Sequence, residues 1–288
     1  IDYNDIHSNN LSSLDIKLTR TCNLDCRICG PTLSSKWTSE VFANRKSYPQ
    51  YDDVELAKKE WIDVNGSAVW KDLEDITGDL AYLLFSGGEP LLDKTHGSML
   101  QYFIDNKKSK SISIHYNTNG TQYATHLLPL WEHFKAVELS FSIDNIGDKF
   151  EYERYGESWD KVKDTLTRYK NITGSNLKLN VFSTISTLNI LDTYRLYRLS
   201  KKYDMPISFH PLLFPKQLNI CLFNKKQKKY ITDKLLQSND KEFIKIIEPI
   251  LSLMNSTTIS TDTTNMIDFL GITDNIRKQD YKQTYKEL

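Results

Sequence analysis

Cysteine is scarce, with four residues in a chain of 288. Three of them crowd into the stretch Thr21-Cys22-Asn23-Leu24-Asp25-Cys26-Arg27-Ile28-Cys29-Gly30, and that clustering excludes a disulfide framework of the kind that staples small secreted domains. Net charge is also missing: 37 Lys and Arg balance 37 Asp and Glu. A general electrostatic pull toward nucleic acid or an anionic membrane is therefore not indicated. Mean hydropathy is −0.49, and no apolar run approaches the roughly 20 residues that span a bilayer. Ile1 to Asp5 lacks a basic segment followed by an apolar one, so no signal peptide is expected. Together these absences predict a cytoplasmic protein with reduced thiols and no membrane partner.

What is present is a C-x3-C-x2-C spacing. A closed structural zinc or iron–sulfur site takes four protein ligands. Three soft thiolates on one loop leave a coordination position open, and an open position is where a metal can do chemistry. From the cysteines alone, a zinc site borrowing a fourth ligand from a histidine or Cys221 stays open.

Apolar, β-prone segments alternate with longer amphipathic ones. Leu14 to Leu18 reads as a first strand by period-2 alternation, with the cysteine loop directly after it. Ala81 to Phe85 is a continuous apolar run ended by Ser86-Gly87-Gly88, which predicts a buried parallel strand. Ser111 to Tyr116, Val137 to Ile143, Leu177 to Ile185 and Ile207 to Leu213 complete a set of six. Asp160 to Lys170 and Leu191 to Tyr203 carry helical apolar faces. Strand–helix alternation predicts an α/β fold with a parallel sheet, an incomplete relative of the eight-unit barrel, with functional residues at the C-terminal strand ends. The motifs stand there: the cysteines, Gly87-Gly88-Glu89-Pro90, Asn117-Thr118-Asn119-Gly120 and Asp144. Residues 31–79 are expected to form a helical insertion carrying Trp37, Trp61 and Trp70. The composition changes after Pro215, so the expected domains are 1–215 and a small C-terminal cap at 216–288.

The cysteine spacing after a first strand, with Gly-Gly-Glu-Pro after a second, resembles the radical S-adenosylmethionine superfamily. Leu14 to Trp37, Phe85 to Leu92, Asn117 to Gly120, Ser142-Ile143-Asp144, Glu151 to Tyr155 and Ile276-Arg277 are similar to the branch of radical SAM proteins with a twitch domain. The resemblance implies a partial (β/α)6 TIM-type barrel with a twitch-like cap. It implies a [4Fe–4S] cluster held by Cys22, Cys26 and Cys29, with the methionine part of S-adenosylmethionine on the fourth iron. Reduction, by an electron donor such as flavodoxin or ferredoxin, would cleave S-adenosylmethionine to methionine and a 5′-deoxyadenosyl radical. That radical would take hydrogen from a small-molecule or peptide substrate.

The resemblance also assigns residues. Gly87, Gly88 and Glu89 would hold the ammonium of S-adenosylmethionine: glycines admit close backbone approach and a carboxylate suits a cation. Ser142 and Asp144, two apart at a strand end, would face the ribose diol, with Ser183 as a further ribose contact. Arg154 would meet the carboxylate, for which a guanidinium is well shaped. Asn117 and Asn119 would face the cofactor or substrate. Ile28 stands where members often carry an aromatic residue near adenine. Many relatives bind an auxiliary cluster through further cysteines in the cap. Here only Cys221 remains, so one cluster is expected and Cys221 is read as a packed residue. His115, Tyr116 and His210, near strand ends, are candidate substrate or proton-relay residues.

Two other readings remain at this point: a metal-binding module without catalysis, and a radical enzyme specialised for peptides or proteins. The run Lys225 to Lys229 is the sole nucleic-acid-like feature, and a solvated helix face accounts for it.

Overall fold

The alternation in Ser13-Leu14-Asp15-Ile16 produces the first strand, β1 (Ser13–Ile16). In the computed structural model, which describes residues 11–17, 19–51, 79–94, 96–172, 176–256 and 264–286, five more strands follow. They are β2 (Tyr82–Phe85), β3 (Ser113–Thr118), β4 (Ala136–Ser142), β5 (Leu177–Ile185) and β6 (Ile207–Pro211). All five neighbouring pairs are parallel and the spatial order is the chain order, β1 to β6. The sheet is open: β1 and β6 are its two edges. Trp61, Trp70 and most of the expected helical insertion lie outside the described residues, as does most of the Ser/Thr-rich stretch near 256–264. Within the described part, α1 (Ser35–Ala43) follows the cysteine loop, its N-terminus capped by the Ser34 side chain accepting from Trp37 N.

Between the strands run α2 (His96–Asp105), α3 (Leu128–Trp131), α4 (Asp148–Glu153), α5 (Trp159–Lys170) and α6 (Thr193–Lys202). The two faces of the sheet differ sharply. Leu83, Phe85, Ile114, Val137, Leu139 and Val181 share one face and are buried. They pack with Met99 and Phe103 of α2, Val162 and Leu166 of α5 and Leu196 of α6 in one core. Each such side chain contributes about 1.5–3 kcal/mol by leaving water. The other face is polar and partly open. Leu84 of β2 is half-buried and Tyr82 is exposed, so β2 is not the strand buried on both faces that its apolar run predicts. Tyr116 belongs to the covered face. It stacks on Phe85 at 5.0 Å between ring centroids, and its hydroxyl accepts from Trp131 Nε1 at 3.2 Å.

Past β6 come α7 (Lys225–Leu236), α8 (Lys241–Ser256), α9 (Thr264–Arg277) and α10 (Tyr281–Thr284). Packing does not break near residue 216. Phe223, Ile231, Phe243, Ile247 and Met254 join the same core as the strands, and Phe243 meets Phe209 of β6 edge to face. Phe269 and Leu270 of α9 and Tyr285 join a second cluster with Trp37, Val41 and Tyr152, over the cysteine loop. The described residues between 216 and 286 form helices and turns, with no strand among them. The composition change at Pro215 reflects the solvent side of α7. Its buried side continues the barrel's helical layer. Cys221 is buried, with Sγ 3.9 Å from Leu253 O, as expected of a packed residue. Lys225 and Lys226 are exposed on α7, and Lys229 pairs with Asp233 at 2.7 Å, a solvated helix face. Among the described residues no helix is long and apolar enough to cross a membrane.

Candidate active site

Directly after β1 the chain turns into the cysteine loop at the C-terminal edge of the sheet. Its backbone is anchored on three sides. Asp25 N donates to Tyr155 O and Arg27 N to Glu153 O, both at 2.8 Å. Trp37 Nε1 of α1 donates to Cys26 O at 2.7 Å, and Ser34 Oγ to Leu24 O at 2.8 Å. Glu89 N donates to Thr21 O at 2.8 Å, tying the Gly-Gly-Glu turn to the same loop. Cys22, Cys26 and Cys29 are all free thiols; Cys26 is buried and the other two are half-buried. Burial pushes all three thiols up, Cys29 to about 11 and Cys26 well up against the pull of Arg154. Neutral thiols must therefore lose protons to bind metal, and metal binding releases them.

The expected residues surround these thiols. Asn119 Nδ2 lies 3.9 Å from Cys22 Sγ and 3.0 Å from Asn23 Oδ1. Arg154 Nη1 lies 3.9 Å from Cys26 Sγ. Gly87 and Gly88 have φ of 82° and 52°, in the left-handed region. A Cβ on Gly88 would stand 2.4 Å from Thr21 O, so the glycine is required by the close approach of two backbones. Ile28 packs partly against the second apolar cluster.

Three assignments change. Glu89 is turned into the fold rather than offered to a ligand. Its Oε1 accepts from Leu91 N and Thr118 Oγ1 at 3.1 and 2.8 Å, and its Oε2 from Asn119 N at 2.6 Å. Burial raises it to about 7 against these donors. Its first role is to brace the Asn119 turn. Asp144 likewise has both oxygens engaged. Oδ2 takes Arg154 Nε and Nη2, each at 2.7 Å, and Oδ1 takes Thr184 N at 2.8 Å. Its first role is to aim Arg154, and one acceptor position, on Oδ1, is left. Ser183 alternates with Val181 and Ile185 on the covered face, whereas Ser142 is in register with Phe182. The sheet therefore separates Ser183 from Ser142, and a ribose contact for Ser183 is withdrawn. Ser142 stays half-buried on the open face.

Sequence reading missed the hub beneath the loop. Arg27, between Cys26 and Cys29, is fully buried. Its guanidinium lies 3.5 Å from the Tyr152 ring centroid and donates to Tyr152 O, to Gln279 Oε1 at 3.1 Å and to Asp274 Oδ1 at 2.6 Å. Arg277 is a second clamp, forked onto Glu40 of α1 at 2.9 and 3.0 Å. The C-terminal helices thus lock the loop that carries the thiols. An arginine between two cysteines was the one local signal; its partner stands 247 residues away.

Glu153 sits beside this hub, wholly buried, and accepts from Tyr285 Oη at 2.5 Å and Asn145 Nδ2 at 2.9 Å. Burial, with help from Asp144, raises it to about 8. A carboxyl raised in the fold binds its proton more tightly there than in the unfolded chain. Its stabilising contribution is complete below the unfolded value near 4.5 and is lost as pH rises through about 8. Stability should fall between about pH 5 and pH 8, by at most about 1.4 kcal/mol per pH unit from this group, and the melting temperature should fall with it. Glu153→Gln should flatten that slope in a thermal-melt series. An unchanged slope would contradict the assignment.

A family model described as the Radical SAM superfamily matches residues 16–189. Two proteins named GTP 3′,8-cyclase are similar in sequence. The one from Syntrophomonas wolfei subsp. wolfei is 25% identical over 211 residues, 71% of this chain and 56% of its own. The one from Synechocystis is 25% identical over 208 residues, covering 71% and 55%. The chain thus spans about half the length of these curated relatives. Among solved structures, anSMEcpe with bound AdoMet and a Cp18Cys peptide superposes with a TM-score of 0.50 at 20% identity, covering 70% of this chain and 51% of that one. That likeness is one of fold, a parallel α/β partial barrel. The chain belongs to the Radical SAM superfamily. This is a class of enzymes that work with a [4Fe–4S] cluster and S-adenosylmethionine.

The residues present fit those groups. Three unpaired thiols lie on one loop, walled by a guanidinium and a side-chain amide. Among the described residues, no three His, Cys, Asp or Glu side chains form a cage for a single metal ion.

Proposed function

We propose that this chain is the catalytic core of a radical SAM enzyme that uses one [4Fe–4S] cluster and acts on a small-molecule or peptide substrate. The observation that carries the reading is the convergence of Arg154 and Asn119 on the cysteine loop, each 3.9 Å from a cysteine sulfur. When bound, the cluster and S-adenosylmethionine supply one-electron reductive cleavage to methionine and a 5′-deoxyadenosyl radical, which takes a hydrogen atom from the substrate. The protein supplies the rest. Cys22, Cys26 and Cys29 hold three irons. Arg154, aimed by Asp144, binds the carboxylate of S-adenosylmethionine. The backbone of Gly87 and Gly88 faces its ammonium group, with Glu89 bracing that turn. Asn119 and Ser142 face its polar groups, and Ile28 gives apolar cover. The electron comes from a flavodoxin- or ferredoxin-type donor.

A single cluster is supported by the packing of Cys221, the one cysteine outside the loop. The names of the relatives bring a nucleoside triphosphate into consideration, and the peptide in the solved neighbour brings a peptide. A non-catalytic module would not need the Arg154–Asp144 pair beside Cys26. Reconstitution under anaerobic conditions tests the reading. Cys26→Ala should lose the cluster's normal iron and sulfide complement and all 5′-deoxyadenosine formation. Full iron and sulfide content in that variant would refute the ligand set.

A further inference from the structure

The open face of the sheet is built opposite to the interior of a packed barrel. Barrel interiors are filled by layers of branched apolar side chains. Here most period-2 positions carry hydroxyls, amides, carboxylates and imidazoles, with Leu84, Ala136 and Phe182 among them. His115 pairs in register with Glu138, Asn117 with Ser140, and Ser140 with Asn180. These groups hold one another in place. Tyr82 Oη and His115 Nδ1 share a hydrogen bond of 2.6 Å, and His115 Nε2 and Ser140 Oγ another of 2.6 Å. Asn180 Nδ2 donates to Glu138 Oε1. Asn117 Oδ1 is buried beside the His115 side chain. Nearer the C-terminal edge the His210 ring lies flat on Phe182, 4.0 Å between centroids and 10° between planes, and His210 is exposed.

Polar groups fixed in advance beside a flat aromatic plane make a binding wall. We propose that this face is the substrate wall and that it takes a phosphate-free, hydroxyl-rich ring, a sugar or cyclitol. The assignment rests on the function proposed above. The C–H face of such a ring lies on the His210–Phe182 plane. Its hydroxyls donate to Glu138 and pair with Asn180, both partly exposed on this face. A polyphosphate finds no cationic cluster on this wall: Asp15 and Glu138 balance Lys17 and Lys178. Burial also holds His115 below its usual range, so it adds no cation near neutrality.

The test uses the reconstituted protein with S-adenosylmethionine bound and the cluster oxidised. Saturation-transfer NMR is run with D-glucose, D-galactose, N-acetylglucosamine and myo-inositol, and separately with GTP and the tripeptide Gly-Ser-Gly. At least one of the four rings should bind, and Glu138→Gln and His115→Leu should each weaken it by about tenfold, the size of one lost hydrogen bond to a charged or buried group. Both variants should keep wild-type affinity for S-adenosylmethionine, which reports that they are folded. Binding of none of the four overturns the proposal, as does binding of GTP or the tripeptide that the same substitutions abolish. S-adenosylmethionine affinity is measured first on the wild type. Its absence there would sink the underlying function itself, a failure separate from that of the sugar panel.

Discussion

Asp274→Ala should destabilise the protein by about 3–5 kcal/mol, the range for removing one partner of a buried ion pair. Three groups lose their acceptor at once. Arg27 Nη2 loses Oδ1 at 2.6 Å, Tyr152 Oη loses the same oxygen at 2.8 Å, and Tyr281 N loses Oδ2 at 2.7 Å. The guanidinium stays fully buried, and an unpaired buried charge is the main cost. Asp274→Asn keeps one acceptor and should cost less. Removing both charges, as Arg27→Met with Asp274→Leu, should recover most of the loss, because apolar replacement of a buried pair avoids desolvation. Because Arg27 lies between Cys26 and Cys29, two of the proposed cluster ligands, Asp274→Ala should also lower cluster retention on dilution, whereas the double variant should restore stability more than retention. Chemical denaturation and iron release measure the two effects. A loss under about 1 kcal/mol would place the pair among those that contribute little.

Gly88→Ala should be nearly as damaging, for a different reason. The residue has φ of 52°, and its Cβ would meet Thr21 O at 2.4 Å and Arg20 C at 2.7 Å. Those atoms are backbone, so no flexible side chain can yield. Relief means separating the Gly-Gly-Glu turn from the cysteine loop and breaking the 2.8 Å bond from Glu89 N to Thr21 O. Strain of this kind costs about 1–3 kcal/mol, with the lost hydrogen bond adding about 1. The larger effect should fall on S-adenosylmethionine, whose affinity should drop by more than about tenfold while iron binding is reduced less. Calorimetric titration of the reconstituted variant measures this. Wild-type affinity would show that the turn does not shape the cofactor site.

The six strands are legible in the sequence because period-2 alternation and apolar runs ending in Gly or Asn are local signals. Leu177–Ile185 is a strand over the span its pattern indicates. The cysteines, Asn119, Arg154 and the Gly-Gly turn do gather at the C-terminal edge. What was not legible needed three dimensions. Ser183 and Ser142 both sit near strand ends, yet register pairs Ser142 with Phe182, and one residue of offset flips a side chain to the other face. Asp144 and Glu89 read as ligand-facing carboxylates because sequence does not reveal that Arg154, Thr184, Leu91, Thr118 and Asn119 engage their oxygens. The lysines that open α7 mark a change of composition after Pro215, while Phe243, Ile247 and Met254 of α8 join the core of the sheet. Asp274 and Arg277 found partners on the cysteine loop and α1 only through folding of the whole chain.

In the function proposed here, three thiolates and a braced Gly-Gly turn hold one cluster and S-adenosylmethionine for radical chemistry. The most direct measurement combines iron and sulfide analysis of the anaerobically reconstituted protein with 5′-deoxyadenosine formation after reduction in the presence of S-adenosylmethionine. The account predicts about four irons and four sulfides per chain, and 5′-deoxyadenosine that disappears with Cys26→Ala. Stoichiometric zinc in place of iron, or a full cluster that never yields 5′-deoxyadenosine, would contradict it.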